Sequence, residues 1–244
     1  MTHPTADIRP DRPPQGALRR AAREEERLAA LIAMVAGIVD AYGFITYGTY
    51  LSFMSGNTTQ AGYRTAQGDF AAAAPALTAI ASFAGGSFAG AFTAPLGAFR
   101  MHRFVFVLAA ALLVSVIGLT GLGLLSANAH IALITFPMGL MNTVLTRVGA
   151  QSVSLTFVTG TLSRFAQQLA WTVRRAPLAD SQGAWDTHWR RTVLLFGIWA
   201  AFLAGAFFSG IATPRLGTWV LAIPAAILSV LAAFGRSNEK VRLR

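Results

Sequence analysis

Ser52-Phe53-Met54-Ser55-Gly56-Asn57 is answered 104 positions later by Thr156-Phe157-Val158-Thr159-Gly160-Thr161. The doubling extends in both directions. Gly85-Gly86-Ser87-Phe88-Ala89-Gly90-Ala91-Phe92-Thr93 returns 120 positions on as Gly205-Ala206-Phe207-Phe208-Ser209-Gly210-Ile211-Ala212-Thr213, and Leu96-Gly97 is matched by Leu216-Gly217 at that offset. Upstream, Gly37-Ile38-Val39-Asp40 has a fainter echo, 102 positions on, in Gly139-Leu140-Met141-Asn142. A unit repeated inside a hydrophobic chain is a common plan of membrane transporters, which place a site where the units meet.

Composition supports the membrane. Of 244 residues, 54% are hydrophobic and 12% charged, with a mean hydropathy of +0.52. A soluble domain carries about 25% charged residues, so half the usual charge is missing. Residues 28–50, 75–99, 104–127, 131–145, 192–213 and 216–234 contain one acidic residue, Asp40, and no basic one. About 20 apolar residues cross the ~30 Å hydrocarbon core. Five blocks reach that length; the fourth is short unless it continues past Arg147 through 152–158. The expected fold class is all-α, a polytopic membrane protein of six transmembrane helices. Its parts are a tail over 1–27, a membrane repeat over 28–127, a second over 128–235 and a tail over 236–244.

The net charge of +10 raises nucleic acid as a partner. With the N terminus inside and six alternating spans, the inner segments are 1–27, 100–103, 146–191 and 235–244. They hold six, two, six and four of the 20 Lys and Arg, leaving Arg64 and Arg215 outside. This is the positive-inside bias of a bacterial inner-membrane protein with both termini cytoplasmic. Nucleic-acid binding calls for basic residues gathered on one face, and here they are scattered over four segments. Three spans per repeat, an odd number, forces the second copy to enter from the opposite side, giving inverted three-helix repeats.

No cysteine is present, so disulfides, thiol nucleophiles and thiolate metal sites are excluded. The chain lacks G-x-x-x-x-G-K-[ST], H-E-x-x-H and G-x-S-x-G, and its four histidines are dispersed near helix ends. No catalytic residue, cofactor or metal site is expected. Asp180 and Asp186 lie in a loop with no partner pattern. The Tyr residues at 42, 47, 50 and 63 read as outer-leaflet anchors, and Trp171, Trp185 and Trp189 as inner ones. Pro137 and Pro224 read as kinks in the fourth and sixth spans.

Each repeat has a helix with a polar residue near mid-membrane, Asp40 or Asn142. A Ser/Thr-Gly turn then opens a short polar helix, Asn57–Gln67 or Thr161–Arg174, with Ser55 and Thr159 as N-caps. An aspartate at the bilayer centre costs about 2.5–3.5 kcal/mol, so Asp40 must face inward. It serves either an ion or proton pathway or a structural hydrogen bond that Asn142 could also make. Ser55, Gly56, Asn57 and Thr58, with Thr159, Gly160 and Thr161, either cap and turn the chain or offer a positive helix end to a ligand. Gly86 and Gly90, with Ala206 and Gly210, are spaced for close helix packing inside the bundle rather than for lining a substrate path; a homodimer through that face would leave the same pattern.

Gly37-Ile38-Val39-Asp40-Ala41, Ser52-Phe53-Met54-Ser55-Gly56-Asn57-Thr58, Met138-Gly139-Leu140-Met141-Asn142 and Val158-Thr159-Gly160-Thr161-Leu162 together resemble the YoaK family of bacterial membrane proteins. The resemblance covers about 28–234, with Ser55 where that family more often has Thr. It implies an inner-membrane helical bundle of unknown function and supplies no substrate. The expected function is a secondary transporter or permease of a small molecule or ion within the lipid bilayer. The alternative is a non-transporting scaffold or accessory subunit, docking through 146–191.

Overall fold

The computed structural model describes residues 15–93, 98–144, 147–148, 151–152, 158–178, 181 and 183–234. The helices are α1 (Gln15–Tyr47), α2 (Met54–Ala66), α3 (Phe70–Thr93), α4 (Ala98–Gly121), α5 (Ala127–Val144), α6 (Val158–Val173), α7 (His188–Leu216) and α8 (Ala222–Phe234). A 3-10 turn, Gly217–Leu221, joins α7 to α8. Strands β1 (Arg147–Val148) and β2 (Gln151–Ser152) pair antiparallel. The described chain is thus all-helical but for this small hairpin.

Among the described residues, four helical stretches are long and apolar enough to cross a membrane: 16–47, 70–92, 103–121 and 188–233. The last contains both α7 and α8. Gly217, at φ 54°, ends α7 in a left-handed conformation that other residues adopt at a cost. α5 has 18 residues, about 27 Å of helix. It ends at Val144, and the chain next pairs as β1 and β2, so α5 is not continued as a helix through 147–148 and 151–152; 153–157 lie outside the described residues. Pro224 is the third residue of α8, within the first turn, where the missing N–H costs nothing. The repeat matches at Leu96-Gly97 and Thr156-Phe157, Asp180 and most of both tails lie outside the described residues.

α1 packs along α7 and α3 along α5; α2 lies on α3, α6 on α7, and α4 against α5 and α8. Exchanging the first four helices for the last four turns α1–α7 into α5–α3 and α2–α3 into α6–α7, and returns α4–α8 to itself. The buried core of Ile32, Val39, Val105, Leu113, Ile131, Met138, Leu221 and Leu228 ties α1, α4, α5 and α8 together.

The two tightest pairs meet at glycines. A Cβ on Gly37 would overlap the Phe202 carbonyl, and one on Gly205 the Met34 carbonyl; Gly139 meets Phe83 and Gly86 meets Phe136 in the same way. Phe83 and Gly86 stand 119 positions before Phe202 and Gly205, while Met34 and Gly37 stand 102 before Phe136 and Gly139. The α3/α7 correspondence is therefore one residue off the offset of 120 legible in the sequence. A Cβ at Gly90 would overlap the Thr143 hydroxyl, whereas one at Gly210 would meet nothing. Gly205 and the buried Ser209 are the close-packing positions of α7, in place of the expected Ala206 and Gly210, although the Ala206 backbone lies against Gly37.

Gly205→Val and Gly86→Val are expected to destabilise the detergent-solubilised protein by roughly 1–3 kcal/mol each, the usual cost of overpacking. Gly210→Val is expected to leave the melting temperature within a degree or two of wild type. Equal losses at 205 and 210 would contradict the packing register.

Candidate functional site

Asp40 lies seven residues before the end of α1 and is 4% exposed. Beyond Tyr47 the chain reverses at Gly48, whose φ is 65°, and runs back beside α1. Gly43 lets it approach, since a Cβ there would strike the Leu51 side chain and the Thr49 carbonyl. The Asp40 carboxylate receives this returning segment. Its Oδ1 accepts from the Leu51 N–H at 2.8 Å and the Ser52 N–H at 2.5 Å, and its Oδ2 accepts from the Ser52 hydroxyl at 2.8 Å.

The other edge of the segment is held from α2. Buried Asn57 donates from Nδ2 to the Tyr50 carbonyl at 2.6 Å and accepts on Oδ1 from the Tyr50 N–H at 3.0 Å. Gln60 donates to the Gly48 carbonyl at 3.1 Å. Tyr50 faces Asn57 and Gly48 faces Gln60, so 48–53 runs antiparallel to both α1 and α2, wedged between them. The start of α2 consequently lies at the level of Asp40, and the helix then runs back toward the level of Gly48. Non-helical backbone among apolar helices needs such partners, because no water is there to satisfy it.

Several expectations change at this point. α2 begins at Met54 with Phe53 before it and no side-chain cap. Ser55 is therefore within the helix, exposed, its carbonyl accepting from Thr59 at 3.1 Å, rather than capping it. The Asn57 N–H bonds to the Phe53 carbonyl at 3.4 Å. Its side chain clamps Tyr50, and Thr58 donates to the Met54 carbonyl at 2.8 Å. Gly56 is packed under the Phe53 ring. α6 includes Val158, so Thr159 is a helical residue rather than a cap; Gly160 follows it and Thr161 is buried. Asn142 lies half-buried near the end of α5. Asp40 thus belongs to the α1–α7 pair and Asn142 to the α3–α5 pair.

Other polar groups in the bundle carried no motif. Tyr42 is fully buried rather than an interface anchor. Its hydroxyl lies 3.3 Å from both the Tyr47 hydroxyl and the Thr218 hydroxyl. The Tyr47 ring lies 6.0 Å from that of His130, whose Nε2 is 2.6 Å from the Thr120 hydroxyl and Nδ1 3.0 Å from the Ser126 carbonyl. A polar row therefore crosses the bundle from the 3-10 turn through α1 to α4 and α5. At the opposite end, Arg191 grips Asp186 with two bonds of 2.9 and 2.7 Å, both residues buried. Asp186 therefore has the partner that the sequence spacing did not suggest. His188 meets Gln168 at 2.8 Å, tying α7 to α6. Among the described residues, no three His, Asp or Glu side chains gather in a group that could hold a metal.

Asp40→Ala leaves two buried N–H groups without acceptors, each costing about 1–3 kcal/mol, and is expected to accumulate poorly and melt early. Asp40→Asn keeps an oxygen for them and is expected to accumulate close to wild type. Asn57→Ala should fall with Asp40→Ala, since both Tyr50 backbone groups lose their partner. Size-exclusion profiles and melting curves in detergent check this; an Asp40→Ala variant as stable as wild type would contradict it.

A family model described as "Protein of unknown function (DUF1275)" matches residues 28–234. A relative from Rhizobium meliloti (strain 1021), described as "UPF0700 transmembrane protein RA0705", is 32% identical over 212 residues, covering 85% of each chain. No solved structure matches. With a transmembrane relative and helices able to cross a bilayer, the chain is a membrane protein, and it belongs to the DUF1275 family.

Proposed function

We propose that the protein is a secondary transporter or permease of a small molecule or ion. In this reading six spans, α1, α3, α4, α5, α7 and the 3-10 turn with α8, form two inverted three-helix repeats in the bacterial inner membrane, with both termini cytoplasmic. The observation that carries it is the non-helical segment 48–53, held between α1 and α2 by Asp40 and Asn57, with α2 starting at the level of Asp40. Broken helices whose ends lie at mid-membrane are how secondary transporters present backbone groups to a substrate. The exchange of the tightest helix contacts and the concentration of 18 of the 20 basic residues in 1–27, 100–103, 146–191 and 235–244 support this topology.

In this reading the packing suggests bodies other than the two repeats. α1 is locked to α7 and α3 to α5 at backbone-to-glycine contacts, so neither repeat is free to rock as a unit. The bodies are instead the mixed sets α1–α6–α7 and α2–α3–α5, with α4 and α8 alongside. Asp40 on the first set grips the segment that leads into α2 on the second. Breaking and remaking those hydrogen bonds would accompany alternating access.

The absence of cysteine permits a direct topology test. Arg64→Cys and Arg175→Cys, introduced singly, are expected to react with an impermeant maleimide from opposite faces of oriented vesicles; labelling from the same face would remove the inverted arrangement. For transport, metabolites inside and outside a deletion strain are compared after complementation at matched abundance. Wild type is expected to restore the pools that deletion shifts, and Asp40→Asn to leave them shifted. Full restoration by Asp40→Asn, or no shifted pool, counts against the reading.

A further inference from the structure

We propose that the groove between the start of α1 and the start of α7 binds an anionic phospholipid, its phosphate on Arg23 and Arg27 and an acyl chain along Ala30, Leu194 and Gly197. The groove is shallow and open, with a volume of about 250 Å³, and is lined by Arg23, Glu26, Arg27, Ala30, Leu194, Gly197 and Ile198. Its chemistry is split by depth. The charged residues come from the polar first turns of α1, before the apolar run that opens at Leu28; the apolar ones lie one to two turns further in on both helices.

Charge points to an anion. Arg23 and Arg27 are exposed and one turn apart, so their guanidinium groups project from the same face of α1. Glu26, the acid at the rim, is already engaged by Arg190 at 2.5 Å. Arg190 in turn lies over the Trp185 ring at 4.4 Å. Arg23 and Arg27 make no ion pair among the described residues, so both exposed guanidinium groups are open to a further anionic partner. Arginine matches phosphate oxygens with paired N–H groups.

The floor points to a chain rather than a free ion. Gly197 is exposed, and a Cβ placed there would meet no atom within 4 Å, so the space above α7 is open. Inorganic phosphate would have no use for an apolar channel lined by Leu194 and Ile198. Trp189, 60% exposed two turns before Gly197, stands where an indole sits at headgroup depth. Basic pockets between membrane helices are suited to anionic lipid heads. The proposal rests on the membrane location alone and not on the transport reading.

The test uses the full chain in mild detergent, titrated with phosphatidylglycerol or phosphatidylcholine of identical acyl chains and followed by native mass spectrometry. Phosphatidylglycerol is expected to bind more tightly. Arg23→Gln with Arg27→Gln, both on an exposed face and so compatible with folding, should weaken it roughly 10- to 30-fold and weaken phosphatidylcholine, whose choline offsets its phosphate, much less. Gly197→Leu, which fills the floor without a backbone clash, should weaken both lipids. Millimolar inorganic phosphate should not displace the bound lipid. Equal binding of the two lipids, an unaffected double variant or displacement by phosphate would each overturn the proposal.

Discussion

The carboxylate of Asp40 and the three groups that donate to it hold the architecture around α1 and α2. An aspartate at this depth costs about 2.5–3.5 kcal/mol on the insertion scale, and hydrogen bonds to a charged group return about 1.5–3 kcal/mol each. Three of them offset the cost. In exchange, the chain is able to turn at Gly48, descend between two helices as irregular backbone, and start α2 at the level of Asp40. Asn57 completes the arrangement by copying, with one amide, the two hydrogen bonds that a neighbouring strand would make to Tyr50.

Glycine contacts perform a different job. They bring α1 against α7 and α3 against α5 at backbone distance, which hydrophobicity alone would not achieve between helices already bathed in lipid. The consequence is interlocking: each half of the chain lends one helix to each tight pair. The Asp40 grip then lies at the crossing between the two sets of helices. A residue there is suited to couple their positions, because it touches one set by its backbone and the other by its side chain.

The hydrophobic blocks, the broad doubling and the unusual standing of Asp40 were all legible in the sequence, since each depends on composition or on a charge where lipid forbids one. Register was less so. Gly205 aligns with Gly85 by sequence identity but packs as Gly86 does, because the choice between adjacent small residues is made by the partner helix. Ser55 looked like a cap from its hydroxyl alone, yet the helix starts earlier, at Met54, next to a loop that Asp40 and Asn57 already hold. Tyr42 read as an interface anchor and Asp186 as unpartnered for a related reason. Their partners stand five residues off along the chain or arrive from the distant 3-10 turn, and no periodic pattern announces such spacings.

Amide hydrogen exchange at Leu51 and Ser52, in the full chain reconstituted in nanodiscs, tests the account most directly. Groups donated to a buried carboxylate exchange only when the segment opens. Protection at both amides comparable to that of mid-helix α1 residues, lost by orders of magnitude in Asp40→Ala while α4 stays protected, is the expected result. Rapid exchange at 51 and 52 in the wild-type protein would mean that the segment is not held inside the bundle, and the account would fail.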